Sequence, residues 1–184
     1  MPYLCSDEKE KKSLPKGSNS AHELEHLVPW EEVFTDSTGK FTRKSKQGNN
    51  YLTVFVCAKT GDKIAIPQVK RKHFPLVYFE FTKRIGRHPK LLYSDLASEI
   101  TNSSFERYLL VKGVNHMNVL RGEHHSTGVA GKAIQDLSNM MLNMLSDSNV
   151  PNIYWDFVVE HAALVNSMIM PSICDKTKAI FEAV

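Results

Sequence analysis

The alternation of apolar and polar residues along the chain predicts strands first and helices later. Three apolar runs, at Trp30–Thr35, Tyr51–Cys57 and Lys63–Pro67, are separated by polar and turn-forming residues. Runs of this length that are rich in β-branched and aromatic residues are typical of strands, and short connections between them predict an antiparallel meander. The middle run is apolar on both faces, as a covered central strand requires.

Beyond Pro67 the period lengthens, and helices begin to alternate with strands. Between Lys70 and Ile85 the apolar residues recur three and four positions apart, which predicts a helix that buries one stripe. The order of all the elements predicts an α/β fold, with a mixed five-stranded sheet flanked by helices. The remaining predicted elements are strands at Leu91–Tyr93 and Val114–Leu120 and helices at Ser104–Gly113, Gly128–Ser146, Asn152–Met170 and from Lys176 onward.

Two of the predicted strands end in an aspartate, Asp36 and Asp95. In the predicted sheet these strands can lie side by side, with both acids at the carboxyl edge, where open α/β sheets place their sites. Paired carboxylates suit Mg²⁺, and two such ions can clamp an in-line phosphoryl displacement. Holding two ions usually takes a third carboxylate, which the helix after the fifth strand should supply. Taken alone, Asp95 is more often an ordinary strand-end or capping residue.

The composition is that of a globular protein with a small positive charge. The 184 residues are 42% hydrophobic and carry a net charge of +3, which suits one domain with a real core. Basic clusters at Lys9–Lys16, Lys40–Lys46 and Lys70–Lys72 fit either a polyanion partner or a solvated surface. The three scattered cysteines imply no disulfide framework. With no signal sequence or membrane-length apolar run, we expect a nuclear or cytoplasmic protein that has no membrane partner.

Five segments in a fixed order carry a family pattern. They are Asp36–Gly39, the strand that follows Gly48–Asn50, Leu92–Asp95, the loop and helix start at Glu123–Ala130, and the later residues Pro151, Trp155, Ala162 and Asn166 with Lys178–Glu182. Through these segments the sequence from Trp30 to Val184 resembles the catalytic core of copia-type retrotransposon integrases, which are ribonuclease H-like polynucleotidyl transferases.

The resemblance implies a ribonuclease H-like fold and DNA strand transfer that depends on Mg²⁺ or Mn²⁺. It makes Asp36 and Asp95 the catalytic residues and metal ligands. It also implies DNA as a partner and association into homo-oligomers. The basic residues that we expect to contact DNA phosphates are Lys44, Lys46, Lys70, Arg71 and Lys132.

The third acid of the family pattern is missing. The resemblance places a glutamate 35 residues beyond the second aspartate, and this chain has Gly131 there. Glycine supplies no ligand and weakens a helix by about 0.8–1 kcal/mol relative to alanine. Asp136 lies about 140° around the helix from that position, so it should face elsewhere. Glu123, in the preceding loop, is the candidate for a displaced third acid.

Other departures from the pattern surround the predicted site. Leu96 and Ala97 replace a polar Asn-Gly pair beside the second aspartate, and Cys57 stands where the family tends to have an aspartate. We therefore expect weak binding of Mg²⁺ or Mn²⁺ and little or no strand transfer.

The expected domain division has three parts. Residues 1–21 form a basic linker, in which Cys5 resembles the tail of the zinc-binding module that precedes the integrase core. Residues 22–146 form the core-like domain, and residues 147–184 a helical extension packed on it. His22 and His26 could place two imidazoles on one helix face, although an exposed acidic helix is the plainer interpretation.

Three functions remain open from the sequence. The first is an integrase-derived domain that binds nucleic acid but is catalytically impaired. The second is an active polynucleotidyl transferase that uses a displaced carboxylate such as Glu123. The third is a non-catalytic module that binds protein partners.

Overall fold

The structure is a computed structural model that describes residues 27–94, 103–118 and 126–183. These residues build one five-stranded sheet with the strand order β3-β2-β1-β4-β5. The strands are β1 (Glu32–Ser37), β2 (Tyr51–Cys57), β3 (Lys63–Gln68), β4 (Leu91–Ser94) and β5 (Asn115–Asn118).

The sheet is mixed in direction. β2 is antiparallel to both β1 and β3, whereas β4 is parallel to β1 and β5 is parallel to β4. The predicted meander followed by alternating helices and strands is therefore confirmed, as is the α/β fold with a mixed five-stranded sheet.

Within the described residues, four helices cover the two faces of the sheet. They are α1 (Phe74–Ile85), α2 (Ser103–Val111), α3 (Ser126–Ser148) and α4 (Trp155–Ile169). A short 3₁₀ turn precedes α1, and Pro75 lies in its first turn, where the missing N–H costs nothing. Gly86 ends α1 at a φ of 71°, a left-handed conformation that glycine adopts without strain. No helix among the described residues is long and apolar enough to cross a membrane.

Each face of the sheet has its own buried cluster. On one face, α1 and α2 pack against β-strand side chains that include Val33, Phe55 and Leu92. On the other face, α3 and α4 pack against the alternate side chains, among them Leu52 and Val54. Successive strand residues point to opposite faces, so the two helix layers pack on the two faces of one sheet.

Two expectations need correction. β1 begins at Glu32 instead of Trp30. It includes Asp36 and Ser37, because these two residues still pair with Val54 and Thr53 of β2. The helix predicted from Lys176 is wrong, since the only helical segment in residues 176–183 is the 3₁₀ turn Ile180–Glu182. There the Asp175 side chain accepts hydrogen bonds from the N–H and the hydroxyl of Thr177, which closes a local turn in competition with a helix. The division into residues 1–21, 22–146 and 147–184 stays a prediction, and its second boundary lies within α3.

Candidate active site and nucleic-acid interface

Asp36 lies near the carboxyl end of β1, on the face that α3 covers. Val33 belongs to the cluster under α1 and α2, whereas Phe34 packs on the cluster under α3 and α4. By the two-residue period of the strand, Asp36 shares the face of Phe34. Its side chain is half-buried, and its Oδ1 accepts a hydrogen bond of 2.6 Å from the N–H of Ser37.

β4 ends beside β1 at the same edge of the sheet. Ser94, the last residue of β4, is in register with Thr35, so the residues that precede Asp95 and Asp36 are neighbours. Asp95 itself lies outside the described residues, and its convergence with Asp36 stays a prediction. Glu123, Leu96, His22, His26 and Cys5 also lie outside the described residues.

The end of β4 is tied to β5 by a side-chain hydrogen bond. The hydroxyl of Ser94 and Nε2 of His116 are 2.8 Å apart. Burial lowers the pKa of His116, and the nearby Glu106 opposes that shift only in part. A neutral imidazole is therefore favoured next to the residue that leads into Asp95.

Gly131 lies in α3 on a flank of the helix that is half-buried. α3 packs on β1, β2 and β4, with Ala130, Ala133 and Leu137 facing the sheet. A side chain at position 131 would find open space, since no atom lies within 4 Å of the place where its Cβ would be. The position thus has room for an acid but holds none.

Asp136 lies on the other flank of α3. Its Oδ1 pairs with Nζ of Lys132 at 3.0 Å, and both side chains border a cleft whose lining does not include Gly131. Lys132, one of the predicted DNA contacts, is therefore placed on the flank of α3 opposite Gly131. Cys57 is fully buried in the cluster under α1, where its Sγ accepts a hydrogen bond from the N–H of Trp30.

The other four predicted DNA contacts gather around the sheet end where Asp36 lies. Lys44 and Lys46 belong to the loop of residues 38–50 between β1 and β2, and Lys70 and Arg71 follow the end of β3. All four are exposed. We call these four residues the basic rim. Because β3 runs in the same direction as β1, its end reaches the same edge of the sheet.

Arg71 joins the basic rim directly to the strand of Asp36. Its Nη2 donates a hydrogen bond of 3.2 Å to the carbonyl oxygen of Ser37, the residue after Asp36. A guanidinium placed there can also present N–H groups to a phosphate, because it carries five donors in a planar fork.

Three buried polar side chains, Ser37, Thr53 and Gln68, bond to one another next to the contact between Arg71 and Ser37. The sequence did not predict this group. The Ser37 and Thr53 hydroxyls are 2.7 Å apart, and Nε2 of Gln68 donates to the Thr53 hydroxyl at 2.7 Å. The group crosses β1, β2 and β3 on the face of α1. The only hint in the sequence is that Thr53 interrupts an otherwise apolar strand. Its partners follow from the pairing of β2 with β1 and β3, which the sequence does not show.

The loop of residues 38–50 is held against the start of α4. Nε1 of Trp155 donates to the carbonyl oxygen of Arg43, and the Trp155 ring stacks on Phe41 with centroids 4.2 Å apart. Nδ2 of Asn49 donates to Oδ2 of the buried Asp156 at 3.0 Å. These contacts fix the backbone that carries Lys44 and Lys46.

Replacing Asn49 with alanine is expected to lower the free energy of unfolding by about 1.5–3 kcal/mol, because it removes a hydrogen bond to a buried carboxylate. Urea denaturation of the wild-type and variant chains measures the difference. Gln47→Ala, an exposed change in the same loop, is the matched control and should stay within about 0.5 kcal/mol of wild type. Equal stabilities for Asn49→Ala and Gln47→Ala would contradict the role given to this contact.

In the described ranges, 27–94, 103–118 and 126–183, no three His, Cys, Asp or Glu side chains come together as a metal site would require. Asp36 is the one predicted metal ligand in these ranges. Its carboxylate at a strand end is a donor that Mg²⁺ accepts. The sequence predicts Asp95 and a third carboxylate as the further ligands, and Gly131 supplies no carboxylate.

No protein-family model matches the sequence. Solved structures do match it. The integrase catalytic core domain of HTLV-2, in complex with magnesium, aligns with a TM-score of 0.66 and 16% identity over 85% of this chain and 97% of that chain. A chain of the simian T-cell lymphotropic virus intasome aligns with a TM-score of 0.69 and 17% identity over 85% of this chain and 55% of that chain. The BIV integrase catalytic core gives a TM-score of 0.63 and 15% identity over 83% of this chain and 92% of that chain.

At these identities the likeness concerns the fold. The antiparallel meander, the mixed five-stranded sheet and the helices on its faces are those that the sequence predicted. The chain has the ribonuclease H-like, mixed α/β fold of retroviral integrase catalytic cores.

Proposed function

We propose that this chain is an integrase core-like domain of copia-type retrotransposon origin that binds DNA and has lost most or all of its strand-transfer activity. The observation that carries the proposal is the basic rim, which surrounds the same sheet end as Asp36. The DNA-binding surface and the predicted metal site would then lie at the same end of the sheet. We place its action in the nucleus or cytoplasm, as expected from the sequence.

The proposed DNA contacts are electrostatic. Lysine and arginine side chains on the basic rim would pair with phosphates, which fixes the position of a duplex but reads no sequence. The loop of residues 38–50 contains four basic residues and no acidic one, so nothing within the loop neutralises it. Arg71 would hold a phosphate close to Asp36, since its side chain already reaches the backbone of Ser37.

The proposed metal site would be held by Asp36 and Asp95. A similar integrase core was solved with magnesium, and in this chemistry the ions stabilise charge on the transferred phosphoryl group. In this chain Asp36 would donate one carboxylate from β1, and the flank of α3 would leave the third position open at Gly131. Weak binding of Mg²⁺ or Mn²⁺ follows, and with it the proposed loss of catalysis.

Self-association is part of the proposal. The HTLV-2 integrase core was solved in dimeric and trimeric forms. In this chain large apolar side chains stay exposed on the outer faces of the helices, including Leu76 on α1 and Leu110 on α2, at 65% and 73% exposure. The same surfaces would serve a protein-interaction module, which is the alternative function.

The salt dependence of DNA binding tests the nucleic-acid proposal. Each phosphate contact contributes about 0.9 to the slope of log K against log salt concentration. We expect the double variant Lys44→Gln/Lys46→Gln to reduce that slope by about 2. Fluorescence anisotropy with a labelled duplex at several salt concentrations measures it.

The matched control for this experiment removes the same charge from the opposite end of the sheet. Lys83 and Lys112 are exposed near the end of α1 and just after α2, and Lys83→Gln/Lys112→Gln should leave the slope close to wild type. If both double variants reduce the salt-dependence slope equally, DNA binding depends on the net charge of the protein and not on the basic rim. Binding that does not depend on salt would favour the protein-interaction function.

A further inference from the structure

A cleft of about 650 Å³ lies on the flank of α3 opposite Gly131. Its walls are α3, α4, the turn between β2 and β3, and the segment that follows α4. Most of the lining is apolar, with the side chains of Val56, Val129, Met140, Ile173 and Ile180 among it. Ligand sites are clefts of about 300–1,000 Å³ with apolar walls and a few polar groups. The volume and the lining of this cleft fit that description.

One cation in the cleft lacks a carboxylate partner. Lys63, the first residue of β3, is half-buried, and its Nζ donates a hydrogen bond of 2.8 Å to Oδ1 of Asn166. Asn166 is 1% exposed and neutral. Within the described part of the chain no carboxylate oxygen lies within 4 Å of Lys63 Nζ.

The two carboxylates whose charges act on Lys63 have other hydrogen-bond or ion-pair partners than its ammonium. Asp62 accepts the hydroxyl hydrogen bond of Ser167 and the backbone N–H of Lys63. Asp136 pairs with Lys132 at the edge of the cleft. Lys132 is 66% exposed, so that pair lies largely in water.

Asp62 and Asp136 carry negative charge near Lys63, but neither makes an ion pair with it. Burial lowers the pKa of Lys63, and the attraction of Asp136 and Asp62 offsets that effect only in part. A half-buried ammonium that has lost hydration is stabilised by an anion that enters the cleft, because their attraction is strong where the dielectric constant is low.

We propose that this cleft binds a small monocarboxylate with an apolar chain, the carboxylate on Nζ of Lys63 and the chain along Val129, Met140 and Ile173. The hydrogen-bond partner of the Lys63 ammonium, Asn166, is neutral, so one entering carboxylate can form the ion pair that Lys63 lacks among the described residues. A dianionic phosphate ester would bring a second charge close to Asp136. The inference is independent of DNA binding, since the cleft does not include the basic rim.

Octanoate and octanol are the matched probes, because they share the apolar chain and differ in charge. Isothermal titration calorimetry on the full chain should show octanoate binding at least about tenfold more tightly than octanol. Lys63→Met should reduce octanoate affinity to the level of octanol and leave octanol affinity unchanged. Lys63→Arg, which keeps the charge, should preserve the preference.

Lys40→Met is the control, since Lys40 is exposed in the loop of residues 38–50 and is not part of the cleft lining. It should bind both probes as wild type does. Equal affinities of the wild-type chain for octanoate and octanol, or no binding of octanoate at millimolar concentration, would overturn the proposal. That comparison needs no variant, so it decides the question even if Lys63→Met fails to fold. A preference for octanoate that survives Lys63→Met would also overturn it.

Discussion

Replacing Gly131 with glutamate is expected to raise the affinity for Mn²⁺ at least about tenfold, since even supporting groups of a metal site change affinity by 10–100-fold. The new carboxylate would start from a helix flank where a Cβ meets no atom within 4 Å. α3 packs on β1 and β4, the two strands that lead to Asp36 and Asp95. Calorimetric titration of Mn²⁺ into the wild-type and variant chains measures the gain.

Gly131→Gln is the matched control, because it adds a side chain of the same size without the charge. Both variants should raise the free energy of unfolding by up to about 1 kcal/mol, since both replace a glycine inside a helix. Only Gly131→Glu should bind metal more tightly, and adding Asp36→Asn to it should remove the gain. An equal Mn²⁺ affinity in all these chains would mean that the site is incomplete for a reason other than position 131.

A strand-transfer assay on the same variants tests the proposed loss of catalysis. The wild-type chain should give little or no product with Mn²⁺, and Gly131→Glu should give more. Efficient transfer by the wild-type chain that Asp36→Asn abolishes would contradict the proposal. In that case another carboxylate, such as Glu123, would have to complete the site.

Replacing Phe81 with alanine is expected to lower the free energy of unfolding by about 3–5 kcal/mol. Phe81 is fully buried in α1 and stacks on Phe55 of β2, with ring centroids 4.1 Å apart. Its ring also packs edge-to-face with the Trp30 ring, and the two ring centroids are 5.5 Å apart. The variant would lose this aromatic contact area and leave a cavity between α1 and the sheet. Urea denaturation followed by circular dichroism measures the change.

Phe79→Ala supplies the matched control for this prediction. Phe79 lies two residues earlier in the same helix, but it is 43% exposed and packs only on the half-buried Tyr108 ring among the aromatic contacts of the described residues. Its loss should cost about 1 kcal/mol or less. If both variants lose the same stability, the difference in burial would not explain the effect.

The helical period of α1 shows how far local pattern reaches. The stripe predicted between Lys70 and Ile85 is the one that the structure buries, and Phe74, Tyr78 and Phe81 are fully covered. The prediction succeeded because every third or fourth residue of a helix shares a face, whatever the helix packs against. The same reasoning failed after Lys176, where the Asp175 carboxylate accepts the backbone N–H of Thr177 in competition with a helix.

The basic rim was predicted in part from the sequence and in part depends on the tertiary structure. Its lysines could be chosen from charge clusters, but the sequence did not show that two separate clusters meet at one sheet end. That follows from the parallel direction of β1 and β3, which depends on both pairing with β2. Lys132 is also a predicted DNA contact, but it lies on α3 beside the cleft, where it pairs with Asp136, and not in the basic rim.

The sequence by itself determined the order of strands and helices, the fold class, the aspartate at the end of β1 and the glycine where the family pattern has an acid. These are properties of residue type and of short periods, which neighbours in the chain decide. The tertiary structure alone decided that Arg71 reaches the backbone beside Asp36, and that the Lys63 ammonium bonds the Asn166 amide in an apolar cleft. The reason is that such contacts join residues 34 and 103 positions apart, and their existence depends on how the sheet and helices pack.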